Sequence, residues 1–401
     1  IGSKDALNLS VGVSLTAEQV AALTHDIVWL ENATVAGQKV LVPVLYMAQA
    51  NNRLGPNGAL ISGTDVNLIT GSNLNNAGTL RASGSLLANV AGNLSNSGLM
   101  QADNRLDLLA GNNLSNRAGG VIAGGAVNLA AGADLLNERT VTTHESASGY
   151  RIERKDFGDS AARIESASAL ALKAGGAINN VGGVLKSGAD TTVQAAGDVN
   201  LTASKTLDSG NVGTSIRYTT VAQQGSVIDA GRDLHVVAGR DISVVASQVE
   251  AKRDIQLIAT GNLNAVAGAN EQHSAYDSKK VKIIEDHVQQ VSSVIKAGGD
   301  ATLSAGQDLQ LVASHVNAGN EAYLVAGKNL NLETAADQDY SFFSKTKKTS
   351  QGKKFRLDET EAVNHVGSLV SAGTHSTLMA GENLLLAGST VTADKGATQL
   401  V

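Results

Sequence analysis

The sequence has no cysteine, two prolines and eleven aromatic residues in 401. Without cysteine there are no disulfides, no thiolate metal sites and no cysteine nucleophile. With aromatics at 3%, any core must be built from Leu, Val, Ile and Ala. No apolar run approaches the ~18 residues of a membrane helix. The longest runs from Val40 to Ala48 and contains Pro43. Positive charge is not in excess: the net charge of −6 argues against a protein built to coat nucleic acid. Ile1 opens no signal peptide or lipidation motif. The phosphate-loop pattern, an HExxH pair and the calcium-binding GGxGxD nonapeptide are also missing. Glycine is plentiful, at 43 residues, but lacks the Gly-X-Y period of collagen. A hydrophobic content of 42% is too high for disorder. The chain opens in mid-pattern (DALNLSVGV) and stops inside another unit (TADKGATQLV), as a segment of a longer polypeptide would.

One phrase recurs: Gly, then an apolar strand three residues on, then a second Gly and a second apolar position. It starts at Gly63, Gly84, Gly124, Gly231, Gly298, Gly319 and Gly373, and the steps from Gly63 to Gly84 and from Gly298 to Gly319 are 21 residues. A fixed period near 20 means one supersecondary unit stacked many times. Within each phrase apolar residues alternate at period 2, as in Val66 and Leu68, Leu106 and Leu108, or Leu234 and Val236. That is strand periodicity. No helical stretch recurs, which excludes a leucine-rich repeat. The pattern predicts an all-β fold: a right-handed parallel β-helix of ~21-residue coils, about 16 of them from Gly63 onward. Val66, Leu68, Leu106, Leu108, Leu129, Val236, Leu257, Leu309, Leu311, Leu330 and Leu332 should point inward. Asn76, Asn96, Asn116 and Asn137 follow at steps of 20, 20 and 21, a spacing that stacks them as a hydrogen-bonded ladder along the axis.

Later the grammar changes. The similar exits ARIESA, SVIDAG, SVIKAG and SLVSAG place Ile164, Ile228, Ile295 and Val370 at steps of 64, 67 and 75. Three coils of 21 fit that step, so the spacing predicts a three-coil super-repeat whose third coil is modified. The modified segments alternate polar and apolar residues, which suggests β-hairpins extruded from the cylinder as a row of lateral arms. They hold Tyr150, Phe157, Tyr218, Tyr276, Tyr340, Phe342, Phe343 and Phe355, eight of the eleven aromatics. Three organisational segments follow: 1–57, a capping or junction unit of helix plus strands; 58–140, regular repeats; and 141–401, super-repeats with hairpin insertions. In the first, Thr16 to Gln19 resembles a capping box, with Val20, Leu23, Ile27 and Leu30 on one helical face until β-branched residues crowd after Thr24. TVAGQKVLVPVLYMA reads as two strands about a Gly37 turn, with Pro43 at an edge.

LTAEQVAALTHDIVWLENATVAGQKVLVPVLYMAQ resembles the segment that precedes the second haemagglutinin-repeat region of contact-dependent growth inhibition exoproteins. LSNSGLMQADNRLDLLAGNNLSN and HVGSLVSAGTHSTLMAGENLLLAGSTV are similar to the filamentous-haemagglutinin repeats of that region. The resemblance implies a Gram-negative protein, secreted or held at the cell surface and exported by two-partner secretion through an outer-membrane transporter. It implies contact with a target-cell outer membrane or surface receptor, and delivery of a C-terminal toxin whose Val-Glu-Asn-Asn marker is absent here.

Chemistry has little foothold. His25, His144, His235, His273, His287, His315, His365 and His375 form no close ligand pair, and Asp233, Asp241, Asp254 and Asp308 sit at turns. The expectation is a non-catalytic scaffold with no cofactor, no metal, no nucleic acid and no small-molecule substrate. An adhesin stalk without a delivery role is the alternative; a polysaccharide-acting β-helix enzyme is a more distant one. The candidate contact is the longest insertion, about residues 337–366. It combines Tyr340, Phe342 and Phe343 with Lys345, Lys347, Lys348, Lys353, Lys354 and Arg356 around Gly352. Such a basic, aromatic tip suits an anionic membrane surface.

Overall fold

Strands form where apolar residues alternate, and they break at the Gly, Asn and Asp positions. The computed structural model describes residues 13, 15, 19, 27–35, 38–46 and 60–401. These fall into two units. One holds Ile1–Glu138, Ala161–Val199 and Asp229–Gly239; the other holds Arg139–Ser160, Asn200–Ile228 and Arg240–Val401.

In the first unit each coil supplies strands to three parallel faces. On one face Val66, Leu86, Leu106, Val127 and Leu170 lie in register. A second, built from strands such as Leu74–Asn76 and Leu94–Asn96, stacks Leu74, Leu94, Leu114, Leu135 and Ile178. The third stacks Leu80, Met100, Ile122, Ile164 and Leu185. The second unit repeats the plan. Leu263, Leu309, Leu330 and Leu384 form one column, and Leu257, Leu303, Leu324 and Leu378 another. Val249, Ile295, Val316 and Val370 form the third. All the residues predicted to face inward are buried. Burial of each such side chain contributes roughly 1.5–3 kcal/mol, so the columns carry most of the favourable energy. The fold is a parallel β-helix with extruded hairpins.

Two corners of the coil are tight. At one, a Cβ at Gly319 would lie 2.1 Å from the carbonyl oxygen of Gly298; at the other, a Cβ at Gly327 would lie 2.2 Å from that of Gly306. These glycines recur because successive turns touch there. Turn carboxylates and amides also join coils: Asp241 Oδ1 accepts from the Asn262 N–H at 2.6 Å, and Asp254 Oδ1 from the Asp300 N–H at 2.9 Å. The acidic residues at the turns are thus axial connectors.

Three expectations need correction. The five-residue face has seven strands in the first unit and five in the second, fewer than about 16. The reason is that four long segments leave the coil. They leave at one corner, on alternate turns. Hairpins follow Leu135–Glu138, Val199–Thr202, Leu263–Val266 and Asn329–Glu333, whereas Ile178–Val181, Ile242–Val245, Leu309–Val312 and Asn383–Leu386 pass directly to the next face. The super-repeat is therefore two coils plus a hairpin, which has nearly the length of three coils. At the N-terminus, Ile27 and Leu30 lie on a strand, Ile27–Val35, paired antiparallel with Gln38–Tyr46. Leu45 and Tyr46 then run parallel to Leu68 and Ile69, so this hairpin lies beside the strand Val66–Thr70. Gln19 is helical; the rest of the expected capping-box helix and Gly37 lie outside the described residues.

Candidate functional site

The four hairpins join Val141–Ser148 to Arg151–Gly158, Ser204–Val212 to Ile216–Gln224, Gly268–Asp277 to Val281–Val291 and Ala335–Thr349 to Gly352–Val366. They are not separate arms. Arg151 pairs with Val212, Ile216 with Tyr276 and Val281 with Lys345, which makes one eight-stranded antiparallel sheet. A match of spacing explains the fusion. Strands lie about 4.8 Å apart, so two coils advance about 9.6 Å, the width of one two-stranded hairpin.

Near the bases, side chains take over from the ladder. Asn270 Oδ1 accepts from the Gln223 N–H at 2.8 Å, and Asp337 Oδ1 from the Gln290 N–H at 2.7 Å. Gln223 and Gln290 in turn donate from Nε2 to the carbonyls of Ala269 and Ala336. Between the first two hairpins Asp156 plays this part. Burial opposes its charge, but Thr143 Oγ1 at 2.6 Å, the Leu207 N–H at 2.9 Å and Arg154 hold its carboxyl below the ordinary range. In the third hairpin His273 Nδ1 lies 2.9 Å from Asp286, with Glu271 at 3.3 Å from Nε2. The Asp286 bond raises the imidazole pKa, against the effect of burial, and Glu271 adds to the rise.

Side chains on this sheet alternate between two faces. Phe343, Lys345, Lys347, Lys354 and Arg356 share one, and Tyr340, Phe342, Lys348 and Lys353 share the other. The sheet thus divides the candidate contact into two half-clusters. Arg356 lies over the Phe343 ring at 5.5 Å, and Lys282 over Phe342 at 5.7 Å. Lys282 comes from the neighbouring hairpin, a contribution that local sequence does not reveal. The Tyr340 hydroxyl donates to Glu359 at 2.9 Å, which raises its pKa. At the tip Lys345 opposes Arg356, Lys347 opposes Lys354 and Lys348 opposes Lys353. Like charges directly opposite each other destabilise a hairpin, so three rungs of four, with Thr346 opposite Phe355 between them, concentrate positive potential at a local cost.

The same sheet holds a polar trough of about 410 Å³ lined by Thr220, Asn270, Gln272, His287, Asp337, Asp339 and Asn364 among others. Its carboxylates are engaged: Asp337 holds the Gln290 amide, and Asp339 lies 2.7 Å from His287 Nδ1.

Inside the first unit the asparagine column is continuous. Asn76 donates to Asn96 at 2.8 Å, Asn96 to Asn116 at 2.8 Å and Asn116 to Asn137 at 2.9 Å. Asn137 donates to Asn180 at 2.8 Å, a rung hidden in the sequence by the 43-residue gap that the first hairpin introduces. The Ile178-x-Asn180 pattern was its signal. In the second unit serine holds the equivalent corner: Ser226 Oγ lies 3.0 Å from Ser247 Oγ, and Ser314 N–H donates to Ser368 Oγ at 3.3 Å.

Two family models describing haemagglutinin repeats match the chain, one at residues 26–98, 99–148, 158–215 and 342–397, the other at 209–286 and 276–362. Among similar proteins, Deoxyribonuclease CdiA of Dickeya dadantii is 36% identical over 98% of this chain. The 16S rRNA endonuclease CdiA of Enterobacter cloacae is 34% identical over 97%, and tRNA nuclease CdiA of Escherichia coli 32% over 98%. The chain spans only 12% of the length of each of these relatives. No solved structure matches it. With haemagglutinin-repeat matches over more than half its length, on stacked coils of the corresponding period, the chain belongs to the haemagglutinin-repeat family, in a region shared with CdiA exoproteins.

Proposed function

We propose that this chain is a non-catalytic β-helical segment of a large exported exoprotein. It serves as scaffold and takes part in target-cell contact or in delivering a C-terminal toxin across the target outer membrane. One observation carries the reading. Relatives named for three different nuclease activities, on DNA, tRNA and 16S rRNA, match this chain over 97–98% of its length. A segment common to proteins of different named activity does not set that activity, so it serves a task they share. The engaged turn and trough carboxylates agree, since a glycosidase needs a pair free to exchange protons. Such a protein is secreted or displayed at the cell surface, reached through an outer-membrane transporter.

Within this role, the fourth hairpin touches the anionic surface of the target cell. Lys345, Lys347, Lys348, Lys353, Lys354 and Arg356 supply the charge, and Phe342, Phe343 and Tyr340 supply apolar area behind it. The test replaces residues 344–356 with a short Gly-Ser turn and measures binding to anionic outer-membrane vesicles. Binding should fall and should weaken with salt in the parent chain. Unchanged binding by a folded variant would remove the tip from the mechanism and favour a plain stalk.

A further inference from the structure

The inner strands of the hairpin sheet, Ile216–Gln224, Gly268–Asp277, Val281–Val291 and Ala335–Thr349, are each paired on both sides. The faces they present therefore depend on no sheet edge. Residues directly opposite each other share a face. On one face Tyr218, Ser274 and Glu285 lie in register, and two residues nearer the coils so do Thr220, Gln272, His287 and Asp339. Asn270 opposite Gln289 continues this face toward the coils. The polar trough lies where the ladder ends. Pairing between the second and third hairpins stops at Val221 with Glu271, and between the third and fourth at Val288 with Gln338. Beyond those pairs the Asn270 and Asp337 side chains join the hairpins, and the surface sinks between them. A hollow of about 190 Å³ extends the trough toward the tips; it is lined by Tyr218, Ser274 and Glu285 and shares Thr220, Gln272 and His287 with it.

Tyr218 gives this face an aromatic platform. Its partner across the ladder is Gly210, where a Cβ would lie 2.7 Å from Cε1, Cζ and the hydroxyl oxygen of the ring. The ring therefore lies over the bare backbone of Gly210, and its hydroxyl donates to Glu153 on the next strand at 3.2 Å. One side of the ring rests on the sheet, and the half-buried residue leaves the other side open. Beside it, the exposed Gln272 and Gln289 side chains make no hydrogen bond among the described residues. These groups narrow the chemistry of a ligand. An apolar molecule would bury two amides unpaired. An anion would meet Glu285, Asp337 and Asp339. Among the described residues no cluster of His, Asp and Glu could hold a metal ion. A neutral sugar chain satisfies all of them: its hydroxyls pair with amides and carboxylates, and the C–H face of a pyranose ring stacks on a tyrosine. At about 4.8 Å between strands and about 6.8 Å between rows, Tyr218 to Gln289 spans about 17 Å, the length of three or four hexose units.

We propose that this face binds a neutral oligosaccharide, with one sugar ring stacked on Tyr218 and the following units hydrogen-bonded to Gln272 and Gln289 along the trough. The site uses none of the cationic tip residues, so it goes beyond the surface-contact role and does not depend on it. The test titrates the whole chain by calorimetry with neutral oligomers of glucose, mannose, galactose and N-acetylglucosamine, from single sugars to hexamers. At least one series should bind with a Kd of about 10 µM to 1 mM, tightening up to the trimer or tetramer and then levelling, with no dependence on salt. Tyr218→Ala should weaken binding about tenfold or more, whereas Tyr218→Phe should keep it, because the ring carries the contact and not the hydroxyl. Gln272→Ala with Gln289→Ala should weaken it about tenfold while leaving Tyr218 on Gly210, and decides the matter if loss of the ring disturbs the sheet. Circular dichroism checks that each variant keeps its strands. Replacing residues 344–356 by a Gly-Ser turn should leave sugar binding unchanged, which separates this site from the tip. No binding by any neutral series at about 10 mM, affinity unchanged in the folded Tyr218→Ala and double-glutamine variants, or tighter binding of polygalacturonate or oligolysine than of any neutral chain would overturn the proposal.

Discussion

Replacing Asn116 by Ala removes the middle of the asparagine column. Asn116 Nδ2 donates to Asn137 Oδ1 at 2.9 Å, to the Gly120 carbonyl at 3.0 Å and to the Arg163 carbonyl at 3.1 Å, and its Oδ1 accepts from Asn96 at 2.8 Å. Both neighbours in the column are fully buried. Asn96 keeps its bond to the Gly98 carbonyl at 3.1 Å and is only partly orphaned. Asn137 Oδ1 and the Arg163 carbonyl lose this donor, whereas the Gly120 carbonyl keeps the Arg163 N–H at 3.0 Å. With about 1–3 kcal/mol per buried polar group left unpaired, and some relaxation, the loss comes to about 3–5 kcal/mol. Asn76→Ala cuts the column at its end. Asn96 Oδ1 still accepts from the Gly98 N–H at 3.3 Å, so that variant should cost only about 1–2 kcal/mol. Asn116→Asp should be worse than Ala, because a carboxylate cannot donate and would face the Asn137 oxygen. Stacked repeats need not unfold in one step, so the assay is amide hydrogen exchange read locally at residues 114–116 and 135–137. If the middle and end variants open with the same free energy, the column is a row of tolerated turn residues and not a coupled ladder.

Leu309 is fully buried between Leu263 and Leu330, so Leu309→Asp should cost about 4 kcal/mol or more and strip exchange protection from the adjoining turns; protection unchanged at 263–266 and 330–333 would contradict the packing. Lys354→Glu sets opposite charges across the Lys347 rung and should steady the hairpin tip by about 0.2–1 kcal/mol while weakening vesicle adsorption. Tighter adsorption by this variant would rule out an electrostatic tip. His273 has a pKa raised above its unfolded value by Asp286, against burial, with Glu271 adding to the rise. Its contribution is fully present below about pH 6.5 and is lost as the pH climbs through the higher folded value. Exchange protection of 268–291 should therefore decline with rising pH once corrected for the intrinsic rate, and His273→Gln should flatten that dependence; an identical profile in the variant would show that the ion pair is inert.

The columns were legible because they are periodic. Leu309 and Leu311 declare an inward face at period 2, and the 20-residue steps of Asn76, Asn96 and Asn116 put one residue type at one corner. The hairpins were legible from composition, since every aromatic of the repeats except Tyr323 lies in them. What failed was counting. A hairpin of about one coil's length inserted on every second turn is indistinguishable by spacing from a third turn, so the four hairpins account for the overcount of coils. Asn180 was missed for the same reason: distance along the chain stopped measuring distance along the axis once Val141–Gly158 left the cylinder.

The sequence by itself determined the strand period, the composition of the interior, the glycine corners and the basic character of the fourth hairpin, because each depends on residues within one turn or on identical positions a constant step apart. Only the tertiary structure decided that four hairpins become one sheet, and that the tip residues divide between its two faces with Lys282 arriving from a neighbour. Those outcomes rest on pairings such as Ile216 with Tyr276 and Ile283 with Phe343, which join residues 60 apart. No local preference selects such partners. They meet because two turns of the coil and two strands of a sheet advance by the same distance.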